Sequence, residues 1–99
     1  MVNLSTEHIE IDPTICGGRP RIKGTRVRVQ DIVSEHMFHG LSPEEIVSAF
    51  PRVSLSAVYA ALAYYHDHRE DIRQAFDNDR ELAEKLKANS PSRLEQYLR

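Results

Sequence analysis

The chain has 99 residues, a formal net charge of -2, 40% hydrophobic residues and 28% charged residues, which is ordinary for one small globular domain. No apolar run approaches the ~20 residues of a transmembrane helix, and the single cysteine, Cys16, excludes an internal disulfide or a multi-cysteine zinc site within one chain. No basic-then-apolar leader opens the sequence, so we expect a cytoplasmic protein without membrane contacts.

Two short strands are predicted near the N-terminus. Residues 7–12 alternate polar and apolar side chains, with Ile9 and Ile11 on one face, and Pro13 ends the pattern. Residues 25–29 alternate in the same way. Paired antiparallel, the two strands would form a β-ribbon with acids beside arginines, at about 0.2–1 kcal/mol per opposite-charge pair. The exposed edge of such a ribbon favours strand addition between two copies, and hence a homodimer.

Residues 13–30 concentrate positive charge, with five cations and no acid. Glycines and Pro20 make much of this stretch a loop. Its charge is tolerated where something negative lies opposite: nucleic acid, a partner protein, or the chain's own acids. Intramolecular pairing could absorb part of the charge on the strand arginines, but not that of the loop cations. Our first candidates for a nucleic-acid-binding face are Arg19, Arg21, Lys23, Arg26 and Arg28.

Three helices are predicted next, over about residues 30–39, 42–50 and 55–68. Gly40 suits a left-handed helix end. Ser42 and Glu45 form a capping-box pattern around Pro43, which suits the first helical position. Pro51 stops the second helix. The sequence thus predicts a mainly α (α+β) fold, in which a three-helix unit of helix-turn-helix type follows the β-ribbon.

The last two helices have the spacing of a unit that places its final helix in the DNA major groove. Base reading favours Arg, Lys, Asn or Gln near the start of that helix. The residues offered here suit phosphate contacts better, and a purely structural role for the unit stays open. The second set of nucleic-acid-binding candidates is Arg52, Ser54, Ser56 and Tyr59.

Residues 69–99 are predicted to be a helical extension of a domain that spans residues 1–68. Apolar residues recur at loose helical intervals, with a break expected near residues 77–79, a linker at 89–92 and a short end at 93–99. They are too few for a separate core and suit a helix that lies in a partner's groove. The candidate partner-binding residues are Ile72, Arg73, Phe76, Arg80, Leu82 and Leu86.

No catalytic pattern is evident. The glycines and bases of residues 17–25 lack phosphate-loop spacing, and no nucleophile–base arrangement follows from spacing. His36 and His39 could pair on a metal, but no third ligand is clearly placed. We expect no enzyme activity, no metal and no cofactor.

Four segments carry a resemblance to a known family. They read IEIDPTICGGRPRIKGTRVRV, DIV, GLSPEEIVSAFP and VYAALAYY. Over about residues 9–73 the chain resembles the domain-of-unknown-function family 433, whose members are similar to homeodomain-like helical proteins. Many are paired with a nuclease-like toxin and regarded as antitoxins of bacterial two-component modules.

The resemblance implies an antitoxin of a type II toxin–antitoxin module, which binds a nuclease-like toxin directly and regulates its own operon through operator DNA. Arg73 and Arg80 would then face acids of the toxin's metal site. No catalytic residue is implied. The alternative is a dimeric protein–protein adaptor that never contacts DNA.

Overall fold

The structure, a computed structural model, describes the backbone of residues 4–89 and the side chains of residues 6–88. A small antiparallel sheet precedes four helices, so the predicted mainly helical fold class is confirmed. The chain divides into two compact units between His68 and Arg69. The first unit holds the sheet and three helices, and the second holds the last helix.

The sheet has three short strands in the order β1 (Leu4–Ser5), β2 (Ile9–Ile11) and β3 (Arg21–Ile22). In the β2–β3 pair, Ile9 lies opposite Ile22 and Glu10 lies opposite Arg21. Both isoleucines are buried, because alternate side chains of paired strands share one face. The first predicted strand is therefore present, and the register brings one acid directly beside one arginine.

The second predicted strand, over residues 25–29, is wrong. The partner of β2 is Arg21–Ile22 instead, and the later segment makes only an isolated bridge between Arg21 and Arg28. The backbone turns back at once, since Ile22 N donates to Val27 O at 2.7 Å. Val29 already begins α1. Five alternating residues were too short a pattern to distinguish a strand from a turn that leads into a helix.

The three-helix unit consists of α1 (Val29–Met37), α2 (Pro43–Ala49) and α3 (Leu55–Asp67). These helices pack on one another, and α3 also contacts β2 and β3. Burying these apolar side chains in a common core is the main stabilisation available to such short helices. The buried apolar residues of the unit are Ile9, Ile22, Val29, Ile32, Val33, Ile46, Val53, Ala57, Val58 and Ala61.

Helix ends follow the predicted local chemistry. Ser42 Oγ accepts from Glu45 N at 3.2 Å, and a Glu45 carboxylate oxygen accepts from Ser42 N at 2.9 Å. This reciprocal pair is the capping box expected from the sequence. Gly40 has a φ of 70°, a conformation that costs glycine little. Ser54 caps α3 in turn, because its Oγ accepts from Ala57 N at 3.1 Å.

The second unit contains one continuous helix, α4 (Arg69–Asn89). The predicted break near residues 77–79 is therefore wrong. Side-chain pairs one turn apart bridge that region, including Arg73 with Asp77 and Gln74 with Asn78, and such pairs favour an unbroken helix. The predicted linker lies almost wholly, and the short end at 93–99 entirely, outside the described residues. Within residues 4–89, no helix is long and apolar enough to cross a membrane.

Candidate nucleic-acid interface

Arg21 is the most buried of the five candidate cations, with only 4% of its surface exposed. Its Nη2 donates to a Glu10 carboxylate oxygen at 2.7 Å, and its Nη1 donates to Thr25 O at 3.3 Å. Its Nε is buried without a hydrogen-bond partner among the described residues. The expectation that loop cations escape intramolecular pairing is wrong for Arg21, because the actual β2–β3 register aligns it with Glu10.

Arg28 and Arg19 also have partners within their own unit. Arg28 donates from Nε and Nη2 to the two carboxylate oxygens of Asp31, at 3.2 and 2.9 Å. Asp31 also accepts from Arg28 N and so holds the first turn of α1. Arg19 Nη1 donates to the side-chain oxygen of buried Gln30 at 2.8 Å. Both arginines thus help to fix the loop against α1.

Lys23 and Arg26 are exposed. For neither side chain does the described structure show a hydrogen bond or ion pair. Lys23 lies at the tip of a turn that Thr25 N closes by donating to Ile22 O at 3.0 Å. Gly24, with a φ of 80°, occupies the position where such a turn requires a positive φ. The turn therefore places Lys23 at an exposed tip of the backbone.

Arg52 joins these two cations. It lies in the turn between α2 and α3, is exposed, and lines the same cavity of about 720 Å³ as Lys23 and Arg26. Arg21 and Glu10 contribute to the same wall. We call this space the basic cavity. Sequence reasoning placed Arg52 in a separate candidate set, because its spacing from Lys23 says nothing about the packing of the α2–α3 turn beside the sheet.

The first turn of α3 offers less than the sequence suggested. The Ser54 hydroxyl is engaged in its capping bond. Ser56 and Tyr59 are exposed, and Ala63 and His66 continue the same helical face. No Arg, Lys, Asn or Gln occurs in α3, so this helix lacks the side chains that usually read base edges in the major groove.

A second, apolar cavity of about 330 Å³ adjoins the turn. Its lining includes Phe50, Pro51, Val27 and Val53, and it shares Arg52 with the basic cavity. We call it the apolar cavity. Sequence reasoning missed it, because Phe50 has the spacing of a core residue of α2. The sequence does place Phe50 at the end of α2, directly before Pro51. A side chain at a helix end can point away from the core, which could have indicated the cavity.

All six predicted partner-binding residues lie on α4. Arg73 pairs with Glu70 and with Asp77, and Arg80 pairs with Asp77 at 2.7 Å. Arg73 lowers the pKa of Glu70 by hydrogen bonding and charge, and Glu70 in turn raises the pKa of Arg73. Both arginines are therefore already paired with acids of α4 itself. Leu82 is 51% exposed.

Metal-ligating clusters and the surroundings of the one thiol, Cys16, are two further features that bear on chemistry in the described residues. Residues 4–89 contain no group of three or more His, Cys, Asp or Glu side chains placed to hold a metal ion. The Cys16 thiol lies 3.7 Å from Arg26 O, a weak contact between the loop before β3 and the segment after it.

Comparison with known proteins places the chain in a family. The family model described as "Protein of unknown function (DUF433)" matches residues 9–65. A crystal structure of a DUF433 member protein from Anabaena variabilis ATCC 29413 is similar at 30% identity and a TM-score of 0.64, over 71% of this chain and 68% of that one. No curated protein matches. The family resemblance carried by the loop and helix segments is thereby confirmed, and the chain belongs to the DUF433 family.

Proposed function

We propose that the protein is the antitoxin of a type II toxin–antitoxin module, which contacts operator DNA through the basic cavity and a nuclease-like toxin through α4. One observation carries the DNA-binding part. Three cations from two distant segments, Lys23, Arg26 and Arg52, converge on one cavity, and no carboxylate among the described residues is paired with them. Phosphate groups are the partners that such cations favour.

The contact is expected to involve the sugar–phosphate backbone rather than base edges. The three cations can neutralise phosphates, and the exposed hydroxyls of Ser56 and Tyr59 can donate to phosphate oxygens. Because α3 lacks base-reading side chains, sequence preference would arise from DNA shape and from pairing of two subunits on one site. The homodimer remains part of the proposal.

The toxin-binding part of the proposal rests on α4. Ile72 is buried, with 2% of its surface exposed, and so is not available to a partner in this structure. Phe76, Leu82 and Leu86 retain exposed surface along a helix that is otherwise strongly charged, a pattern typical of a helix that docks in a groove. The ion pairs of Arg73 and Arg80 are exposed, and exposed pairs contribute little to stability. Breaking these ion pairs, so that the arginines can bind carboxylates of a toxin, therefore requires little free energy.

The dimeric adaptor that never contacts DNA remains the second candidate. The absence of Arg and Lys from α3 and the overall charge of -2 favour it, since dedicated nucleic-acid binders are usually basic. In that case the three cations of the basic cavity would bind an acidic protein surface.

A gel shift with the DNA upstream of the protein's own gene separates the two candidates. We expect the wild-type protein to retard this DNA, and the triple variant K23A/R26A/R52A to lose most of the retardation. The control variant R69A/K85A/K87A removes the same formal charge from α4 and should behave like wild type. No retardation by the wild-type protein, or equal losses in both variants, would contradict the proposed DNA contact.

A further inference from the structure

The two cavities differ in chemistry and adjoin at one residue. Lys23, Arg26 and Arg52 make the first basic. Phe50, Pro51, Val27 and Val53 make the second apolar. Arg52 lines both, and Arg26 and Val27 are consecutive in the chain. The basic and apolar cavities have volumes of about 720 and 330 Å³, and both values fall within the range of about 300–1,000 Å³ that is usual for ligand sites.

A ligand that fills both cavities must combine an anion with a flat apolar group. The basic cavity suits a phosphodiester, because it presents three cations while Glu10, its acid, already accepts from Arg21. The apolar cavity has an aromatic ring, a proline and two valines on its walls. Proteins bind unpaired bases on such surfaces, with a cationic groove following the backbone beside them.

We propose that the two cavities together take an unpaired nucleotide, with its phosphate in the basic cavity and its base in the apolar cavity against Phe50. This deepens the proposed function and rests on the part of it in which the basic cavity binds nucleic acid. Bases in a duplex are stacked on each other and cannot enter the apolar cavity. The protein therefore binds single-stranded nucleic acid more tightly than duplex.

The chemistry of α3 agrees with this assignment. A helix without Arg, Lys, Asn or Gln gains little from the major groove, whereas stacking tolerates any base, since every base has a π face. An acidic peptide is the competing ligand class. It would use the basic cavity but would gain nothing from an aromatic wall, which makes Phe50 the discriminating residue.

Fluorescence anisotropy tests the proposal with the full-length protein. The probes are labelled oligothymidylate and its duplex with oligoadenylate, with unlabelled polyglutamate as competitor. F50L keeps an apolar side chain of similar size at the end of α2 but removes the π face. F38L makes the same change at an exposed phenylalanine that lines neither cavity, and circular dichroism verifies that both variants are folded.

We expect oligothymidylate to bind at least about ten-fold more tightly than the duplex, and F50L to lose about ten-fold on the single strand alone. F38L should change neither affinity. Equal binding of both probes with no effect of F50L would overturn the nucleotide assignment and leave the proposed DNA contact standing. Binding of neither probe would overturn both, and displacement by polyglutamate at comparable charge concentration would assign the site to an acidic protein.

Discussion

Arg21 and Arg26 carry the same guanidinium group in opposite surroundings. Arg21 is buried, with its charge opposite Glu10 across the β2–β3 pair. Arg26 is exposed and lines the basic cavity. Charge in a sequence therefore does not distinguish a structural arginine from a binding one. The distinction follows from strand register, which here moves Arg21 inward.

We expect the two arginines to respond differently to truncation. R21A leaves Glu10 without its partner and removes a buried side chain, which should lower the free energy of unfolding by about 3 kcal/mol. R26A, at an exposed site, should change it by less than about 0.5 kcal/mol. Urea unfolding followed by circular dichroism measures both. Equal effects would mean that burial does not separate their roles.

The helix ends were the part of the fold best predicted from sequence, because caps depend on residues within one turn. Ser42, Glu45 and Gly40 all act as their local patterns predict. The second strand was not predictable in this way, since its true position depends on pairing with β2. The basic cavity was predictable only in part. The sequence identified its cations as candidates, but only the packing of the α2–α3 turn places Arg52 on the same cavity as Lys23.

The capping serines Ser42 and Ser54 should contribute more to stability than Ser56, an exposed serine in the first turn of α3. S42A and S54A each remove an acceptor for an orphan N–H at a helix start, which typically costs about 1 kcal/mol. S56A is the matched control, because its hydroxyl is exposed and makes no hydrogen bond within the described range. The free energy of unfolding, measured with urea, should be lower for S42A and S54A than for S56A. The value for S56A should be close to that of the wild type. A large effect of S56A would contradict this account of the α3 N-terminus.

The capping box also makes α2 sensitive to acid. The backbone N–H of Ser42, followed by its side chain, lowers the pKa of Glu45 by hydrogen bonding to the carboxylate. A lowered folded pKa means that the stabilisation is complete above the ordinary glutamate pKa of about 4.3 and is lost as the pH falls through the folded value. Thr14 lowers the pKa of Asp12 in the same sense.

E45Q tests this linkage. The amide can still accept from Ser42 N but cannot titrate, so we expect lower stability than wild type at neutral pH and a shallower loss of stability in acid. Unfolding free energies measured by urea at a series of pH values give the comparison. If the plots of unfolding free energy against pH were parallel for wild type and E45Q, Glu45 would not contribute to the loss of stability in acid.

At the scale of the whole molecule, the proposal assigns one task to each compact unit. The unit of residues 1–68 carries the basic cavity. The second unit carries the exposed Leu82 and the paired arginines of α4. Binding of nucleic acid and binding of a toxin should therefore be separable by substitution.

We expect L82D/L86D to abolish protection in a co-expression assay with the proposed nuclease-like toxin, because charged side chains would disfavour docking of α4 in an apolar groove of that partner. The same variant should retard upstream DNA like wild type. K23A/R26A/R52A should keep the protection in the co-expression assay but lose the retardation of upstream DNA. A single variant that loses both activities while remaining folded would contradict this division between the units.

The salt dependence of DNA binding tests the central claim most directly. Three phosphate contacts per subunit make six per homodimer, which predicts that the logarithm of the association constant falls against the logarithm of salt concentration with a slope of about -5.4. K23A/R26A/R52A should flatten the slope to near zero, and R69A/K85A/K87A should leave it unchanged. A flat response of the wild-type protein would show that the basic cavity does not bind phosphates.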